Sequence, residues 1–339
     1  PIKQVGSFGF TSFLQTSLRI NENLFITSSI DRKVQFFYID MSEEPSKHNQ
    51  LTGEWSPPIK EINETISFLY QLNSKEILLL GVRGGSYILS SDNFDQLPDV
   101  NGEIKVKRIQ TDYDFNEFCR CYTIGDGLFV AENGEEVLNL FEIVKENKVY
   151  RLILHKEVKC TIPNWTTLGK INEDYFAVGT RTGQLYLIKY ENRQFTMIEK
   201  IDLLDDEIRQ IKCLEDENEN MNFLIVTGNN GQLKILSFNG NSIDITMGQN
   251  DLNGNLFQVQ SEKGTAVILS EDGILYLLEE NFEDWHLNEE VTIKEAFFTN
   301  VFQLDISKYL LMDIEGKLNL LYIDRMNTPK DLWDLPLYQ

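Results

Sequence analysis

Four cysteines and three histidines are the scarce reactive side chains of this 339-residue chain, and their spacing decides what chemistry it can hold. Cys119-Arg-Cys121 sets two thiols two residues apart, so on a strand both project to one face. A zinc site would need two further ligands. Cys160 and Cys213 fall in other parts of the chain, and His48, His155 and His286 are scattered. The cysteines therefore read as small apolar packing groups. They do not make a disulfide framework, which points to a reducing compartment, cytoplasmic or nuclear. Carboxylates are too numerous for any pair to nominate itself as an acid and base. Asp205-Asp-Glu207 and Glu215-Asp-Glu-Asn-Glu219 fall between strand-like runs and read as solvated turns. Nucleophile elbows, phosphate-binding glycine loops, dinucleotide fingerprints, His-Glu-x-x-His and EF-hand spacings are all missing. The chain reads as non-catalytic, with no cofactor and no metal.

The charge balance points to partners of one kind. Thirty-one basic residues face 53 acidic ones, a net charge of −22. Such a field opposes direct binding to nucleic acid and to anionic lipid, and favours a basic partner. No apolar run approaches the roughly 20 residues that cross a bilayer, so membrane insertion is not expected. The opening residues Pro1-Ile-Lys-Gln-Val have no apolar signal-peptide core.

The elements that must position any binding residue are hairpins. Residues 175–190 give a short apolar run, a turn at Thr182-Gly183, and a second alternating run. That is a β-hairpin. It recurs at 24–38, 77–91, 128–142, 223–238, 265–279 and 309–323. The residue that opens each returning strand is Val34, Tyr87, Leu138, Leu185, Leu233, Leu275 or Leu318, at intervals of 42 to 53 residues. Glycine stands two before it in five copies: Gly85, Gly183, Gly231, Gly273 and Gly316. Glycine suits that turn because it takes positive φ without steric cost. Arg32 and Glu136 hold the position in copies one and three.

Further strand-like runs flank the hairpins, upstream at 65–72, 118–124, 165–171, 208–214, 256–261 and 297–304, and downstream at 104–109, 150–158 and 195–201. Four strands per unit and seven units predict one all-β domain over 1–339, a seven-bladed β-propeller of four-stranded blades. Residues 28–37 (Ser-Ser-Ile-Asp-Arg-Lys-Val-Gln-Phe-Phe) and 179–187 (Gly-Thr-Arg-Thr-Gly-Gln-Leu-Tyr-Leu) resemble the second and third blade strands of the WD40-like superfamily, in degenerate form. The resemblance implies that the N-terminal strand, residues 2–7, closes the ring by pairing with the last blade. It also implies that the turn between second and third strands lies on a face used for binding. Residues 41–58 are polar, punctuated by proline and aperiodic, and read as a surface-loop insertion whose Trp55 is either a partner contact or a tether for the loop.

The candidate contact residues follow from those turns. Arg32 and Lys33, Arg83 and Arg181 are basic. Glu132, Glu135 and Glu136, Glu271 and Asp272, Asp313 and Glu315 are acidic. A face with one acidic and one basic arc suits a peptide or helix carrying both charges. The leading expectation is a protein-interaction scaffold, a propeller subunit of a larger eukaryotic assembly that binds other protein subunits. A recruitment or tethering platform in membrane trafficking or small-GTPase signalling is the alternative. A histone- or basic-peptide-binding subunit of a nuclear complex is a further one.

Overall fold

The computed structural model describes residues 3–5, 14–39, 53–109, 120–132, 136–214, 223–262, 264–281, 284–292, 298–305, 308–313 and 318–322. Their strands assemble into seven four-stranded antiparallel sheets, making an all-β propeller of four-stranded blades. From Leu14 onward six sheets in turn each take four strands consecutive in the chain. The seventh takes three, Phe298–Asp305, Lys308–Asp313 and Leu318–Tyr322, and is completed by Lys3–Val5. Lys3 pairs with Leu320 and Val5 with Leu318, so the chain's first strand lies antiparallel on its last.

The first strands of successive sheets touch one another, from Leu14–Arg19 through Ile66–Asn73, Arg120–Gly125, Trp165–Lys170, Ile208–Leu214 and Leu256–Glu262 to Phe298–Asp305. They are therefore the innermost strands. Second strands such as Tyr175–Thr180 are buried at every position. The alternation of a strand explains why such a run can be apolar throughout. Phe176 and Val178 pack with Ile124, Val130 and Leu140 of the sheet before. Tyr175 and Ala177 pack with Ile211, Leu224 and Val226 of the sheet after. The core is thus divided into apolar layers, each held between two neighbouring sheets.

In six sheets the innermost strand slips register after its first residue, at Leu14/Thr16, Ile66/Phe68, Trp165/Thr167, Ile208/Gln210, Leu256/Gln258 and Phe298/Asn300. A bulge re-aims the extra residue. Two of the re-aimed side chains cross to the next sheet. Thr166 Oγ1 donates to the Ile208 carbonyl at 2.6 Å, and Arg209 reaches Glu271.

The turn position two before each anchor has positive φ at Arg32 (66°), Glu136 (58°), Gly183 (77°), Gly231 (69°) and Gly273 (80°). The second sheet departs from expectation, because Gly84 rather than Gly85 takes the positive φ, 82°. Gly85 answers to space instead. A Cβ there would lie 1.7 Å from Glu64 Oε1, and one at Gly81 would lie 1.9 Å from Glu64 Oε2. The insertion expected over 41–58 is shorter at its C-terminal end. Gly53–Trp55 form the outer strand of the first sheet, pairing Trp55 with Phe37, and residues 41–52 lie outside the described ones.

Candidate partner-binding face

One face is built from the turns between second and third strands together with the connections between sheets. Backbone hydrogen bonds set each turn beside the connection that enters its own sheet: Val82 N to Thr65 O (2.8 Å), Arg181 N to Asn164 O (2.8 Å), Asn229 N to Glu207 O (3.2 Å) and Glu271 N to Asn255 O (2.9 Å). The connection that leaves the sheet is held too. Leu203 N and Leu204 N both donate to the Gly183 carbonyl at 3.0 Å, and Leu252 N to that of Gly231 at 3.3 Å. Charged side chains on these segments therefore stand on a fixed frame.

The basic residues are distributed over three sheets. Arg32, Arg83 and Arg181 are exposed. Lys33 is held by a neighbour, its Nζ lying 2.8 Å from Asp31 Oδ2. The Arg83 backbone N–H donates to Glu64 Oε2 at 3.1 Å, and the Tyr87 hydroxyl donates to Glu64 Oε1 at 2.6 Å. Burial first, and then this carboxylate, push the Tyr87 phenol up to about 12. Glu64 is a buried acid that fixes the turn on which Arg83 is presented. Sequence reading passed over it, since the only signal was a pair of glycines flanking the turn.

The acidic side is a continuous network running from the connection that enters the fifth sheet to the turn of the sixth. Asn230 Nδ2 donates to Asp206 Oδ2 (2.8 Å), and Asn230 N donates to Asn255 Oδ1 (3.1 Å). Asn255 Nδ2 donates to Glu271 Oε2 (3.0 Å), and Arg209 Nη2 donates to Glu271 Oε1 (2.6 Å). Glu271 is thus engaged by two partners within the frame. Asp205, Asp251 and Asp272 are exposed on the same connections and turns. Asp272 lies over Gly254, where a Cβ would come within 2.7 Å of its carboxylate. Asp205 and Asp206 belong to the run read from sequence as an ordinary solvated turn. The role of Asp206 shows only when the fold brings it beside Asn230.

Other expected contacts are placed differently. Glu132 is buried and paired with Arg120 across the hairpin, so it does not present a free acid. Trp55 is half-buried, its ring 4.5 Å from that of Phe37, and so helps anchor its strand. Glu135 and Glu315 lie outside the described residues, as does Cys119. Cys121, Cys160 and Cys213 form no disulfide among the described residues, and burial pushes Cys213 up to about 11. Among the described residues no three His, Cys, Asp or Glu side chains are grouped as a metal would need. No helix among them is long and apolar enough to cross a membrane.

No family model matches the chain, and no curated protein matches it. Solved structures do. The WD40 β-propeller domain of Doa1 superposes with a TM-score of 0.64 at 11% identity, over 96% of this chain and 98% of that one. The β-propeller domain of Myceliophteria thermophila Cps50 (Swd1) gives 0.64 at 10% identity, over 96% and 100%. Chaetomium thermophilum Sqt1, bound to the N-terminus of the ribosomal protein L10, gives 0.62 at 10% identity, over 89% and 81%. At such identities the likeness is one of fold alone, a β-propeller.

Proposed function

We propose that this chain is a non-catalytic protein-interaction scaffold, a propeller subunit of a larger assembly that seats a basic segment of a partner on the face described above. Its seven sheets would form one ring of seven blades, shut where Lys3–Val5 joins the last sheet. The observation that carries the reading is the network Asp206–Asn230–Asn255–Glu271–Arg209, which ties the fifth sheet and the connection entering it to the sixth sheet and leaves Asp205, Asp251 and Asp272 exposed beside it. A fixed acidic arc is preorganised for a cationic partner, because its side chains and backbone need little ordering on binding. Arg32, Arg83 and Arg181 extend the face with the opposite sign, which suits a peptide or helix of mixed charge. The buried acids Glu64 and Glu132 and the paired Glu271 serve the frame itself, which favours binding over acid–base chemistry on this face. That Sqt1 is seen with a protein N-terminus bound lends the reading support by analogy of fold alone.

The test is affinity capture of the native chain with identification of the co-purifying proteins. Recovery of a partner with a Lys- and Arg-rich segment, released as salt rises from about 0.1 M to 1 M, is the expected result. Recovery of the chain alone at low salt contradicts the proposal.

A further inference from the structure

A cavity lies among the innermost strands, away from that face. Three consecutive innermost strands, Arg120–Gly125, Trp165–Lys170 and Ile208–Leu214, line an open cavity of about 570 Å³ together with Asn172 and Glu173. Asn172 and Glu173 belong to the turn between first and second strands, so the cavity opens at the end of those strands opposite the partner-binding turns. Its volume falls within the roughly 300–1,000 Å³ of ordinary small-molecule sites. Leu168, Ile171 and Ile211 give it an apolar wall, and Thr167, Gln210, Lys170 and Lys212 give it polar groups.

The two lysines differ in a way that points to a ligand. Lys170 Nζ is neutralised by Glu173 at 2.7 Å. Among the described residues no carboxylate pairs with Lys212, whose neighbour there is the Cys213 thiol. Burial lowers the Lys212 amine from its usual range. Elsewhere in the chain Lys145 and Lys189 move the other way, each raised by a hydrogen-bonded carboxylate, Glu76 or Glu191. In a chain of net charge −22, a half-buried cation with no carboxylate partner among the described residues is the exception. A partly desolvated amine is costly to hold unless an anion meets it.

We infer that this cavity is a binding site for a small organic anion, with Lys212 meeting a carboxylate or phosphate group and Leu168, Ile171 and Ile211 covering an apolar body. The Lys170–Glu173 pair contributes no net charge, so one negative group on the ligand balances the site. The arrangement sets two requirements: the oxyanion alone binds weakly, and the apolar body alone does not bind.

The experiment is calorimetric titration of the whole chain with acetate, hexanoate, inorganic phosphate and phenyl phosphate. Hexanoate or phenyl phosphate is expected to saturate in the range of about 0.1–1 mM, with acetate and inorganic phosphate at least about tenfold weaker. Lys212→Met should weaken binding at least about tenfold, and Lys212→Arg should retain it within about threefold. As a readout that needs no variant, the tighter organic anion should protect Lys212 of the wild-type chain from acetic anhydride, measured by mass spectrometry. Absence of saturable binding up to about 20 mM overturns the proposal. So do equal affinity for acetate and hexanoate and for the two phosphates, unchanged binding by Lys212→Met, or unprotected Lys212. Tighter binding of hexanoate marks a carboxylate ligand, and tighter binding of phenyl phosphate a phosphate monoester; either supports the site.

Discussion

The Tyr87 hydroxyl lies 2.6 Å from Glu64 Oε1, and the Arg83 N–H meets the other oxygen of the same carboxylate. This buried acid occupies space that Gly81 and Gly85 leave open, and through it the connection entering the second sheet is fastened to the turn that presents Arg83. Removing it in Glu64→Ala strands a phenol and a backbone N–H and leaves a void. The expected loss is about 1–3 kcal/mol in urea unfolding, with Glu64→Gln recovering part of it.

Alkaline unfolding should report the same contact. The Tyr87 phenol is raised by burial and by Glu64 to about 12 from 10.0. A folded-state value above the unfolded one means that the neutral phenol is the form the fold holds. Its contribution is complete below pH 10 and is lost as pH rises through about 12. Tyr87→Phe should therefore show a shallower decline in stability over that window than the wild-type chain. Parallel declines would contradict the assignment.

Turn geometry separates positions that look alike in composition. Arg32 sits at φ 66° where five of the seven copies carry glycine. Arg32→Gly should raise stability by about 1 kcal/mol, the strain relieved less the extra freedom of the unfolded chain. Gly183→Ala should do the reverse. Its φ is 77°, and a Cβ would stand 1.9 Å from the Leu204 carbonyl oxygen, so a loss of at least about 2 kcal/mol is expected in the same denaturation assay.

The pair Arg209–Glu271 joins the fifth sheet to the sixth, with side chains 31% and 41% exposed. Solvent screening keeps its coupling small, about 0.5–1 kcal/mol in a double-mutant cycle of Arg209→Ala and Glu271→Ala. Coupling should fall further in high salt, because part of the pair faces water.

The propeller was legible in sequence because its middle hairpins are buried on both faces and turn on a repeated glycine. Tyr175–Thr180 is buried end to end and almost wholly apolar for that reason. Strands exposed on one face left weaker marks. Ile243–Gln249 presents Asp244, Ile245 and Thr246 to solvent and has no clean alternation, and Leu14–Arg19 reads Leu-Gln-Thr-Ser-Leu-Arg, too polar to stand out. Copies one and three were harder still, since Arg32 and Glu136 adopt the left-handed turn without glycine.

The face itself was only half legible. Turn charges such as Arg83, Arg181 and Asp272 could be picked out by counting from the anchors. Which acids are free and which are held depends on contacts between residues far apart in the chain. Asp206 meets Asn230 across 24 positions, and Arg209 meets Glu271 across 62. No local pattern encodes such pairs.

The most direct measurement is partner capture by the chain carrying Asp205→Lys, Asp251→Lys and Asp272→Lys together, beside wild type and an Arg83→Glu, Arg181→Glu variant, all matched for thermal midpoint. A preorganised acidic arc predicts at least about a tenfold loss of the captured basic partner with the triple variant, and a smaller loss with the arginine variant. Equal capture by the folded triple variant and wild type would contradict the account.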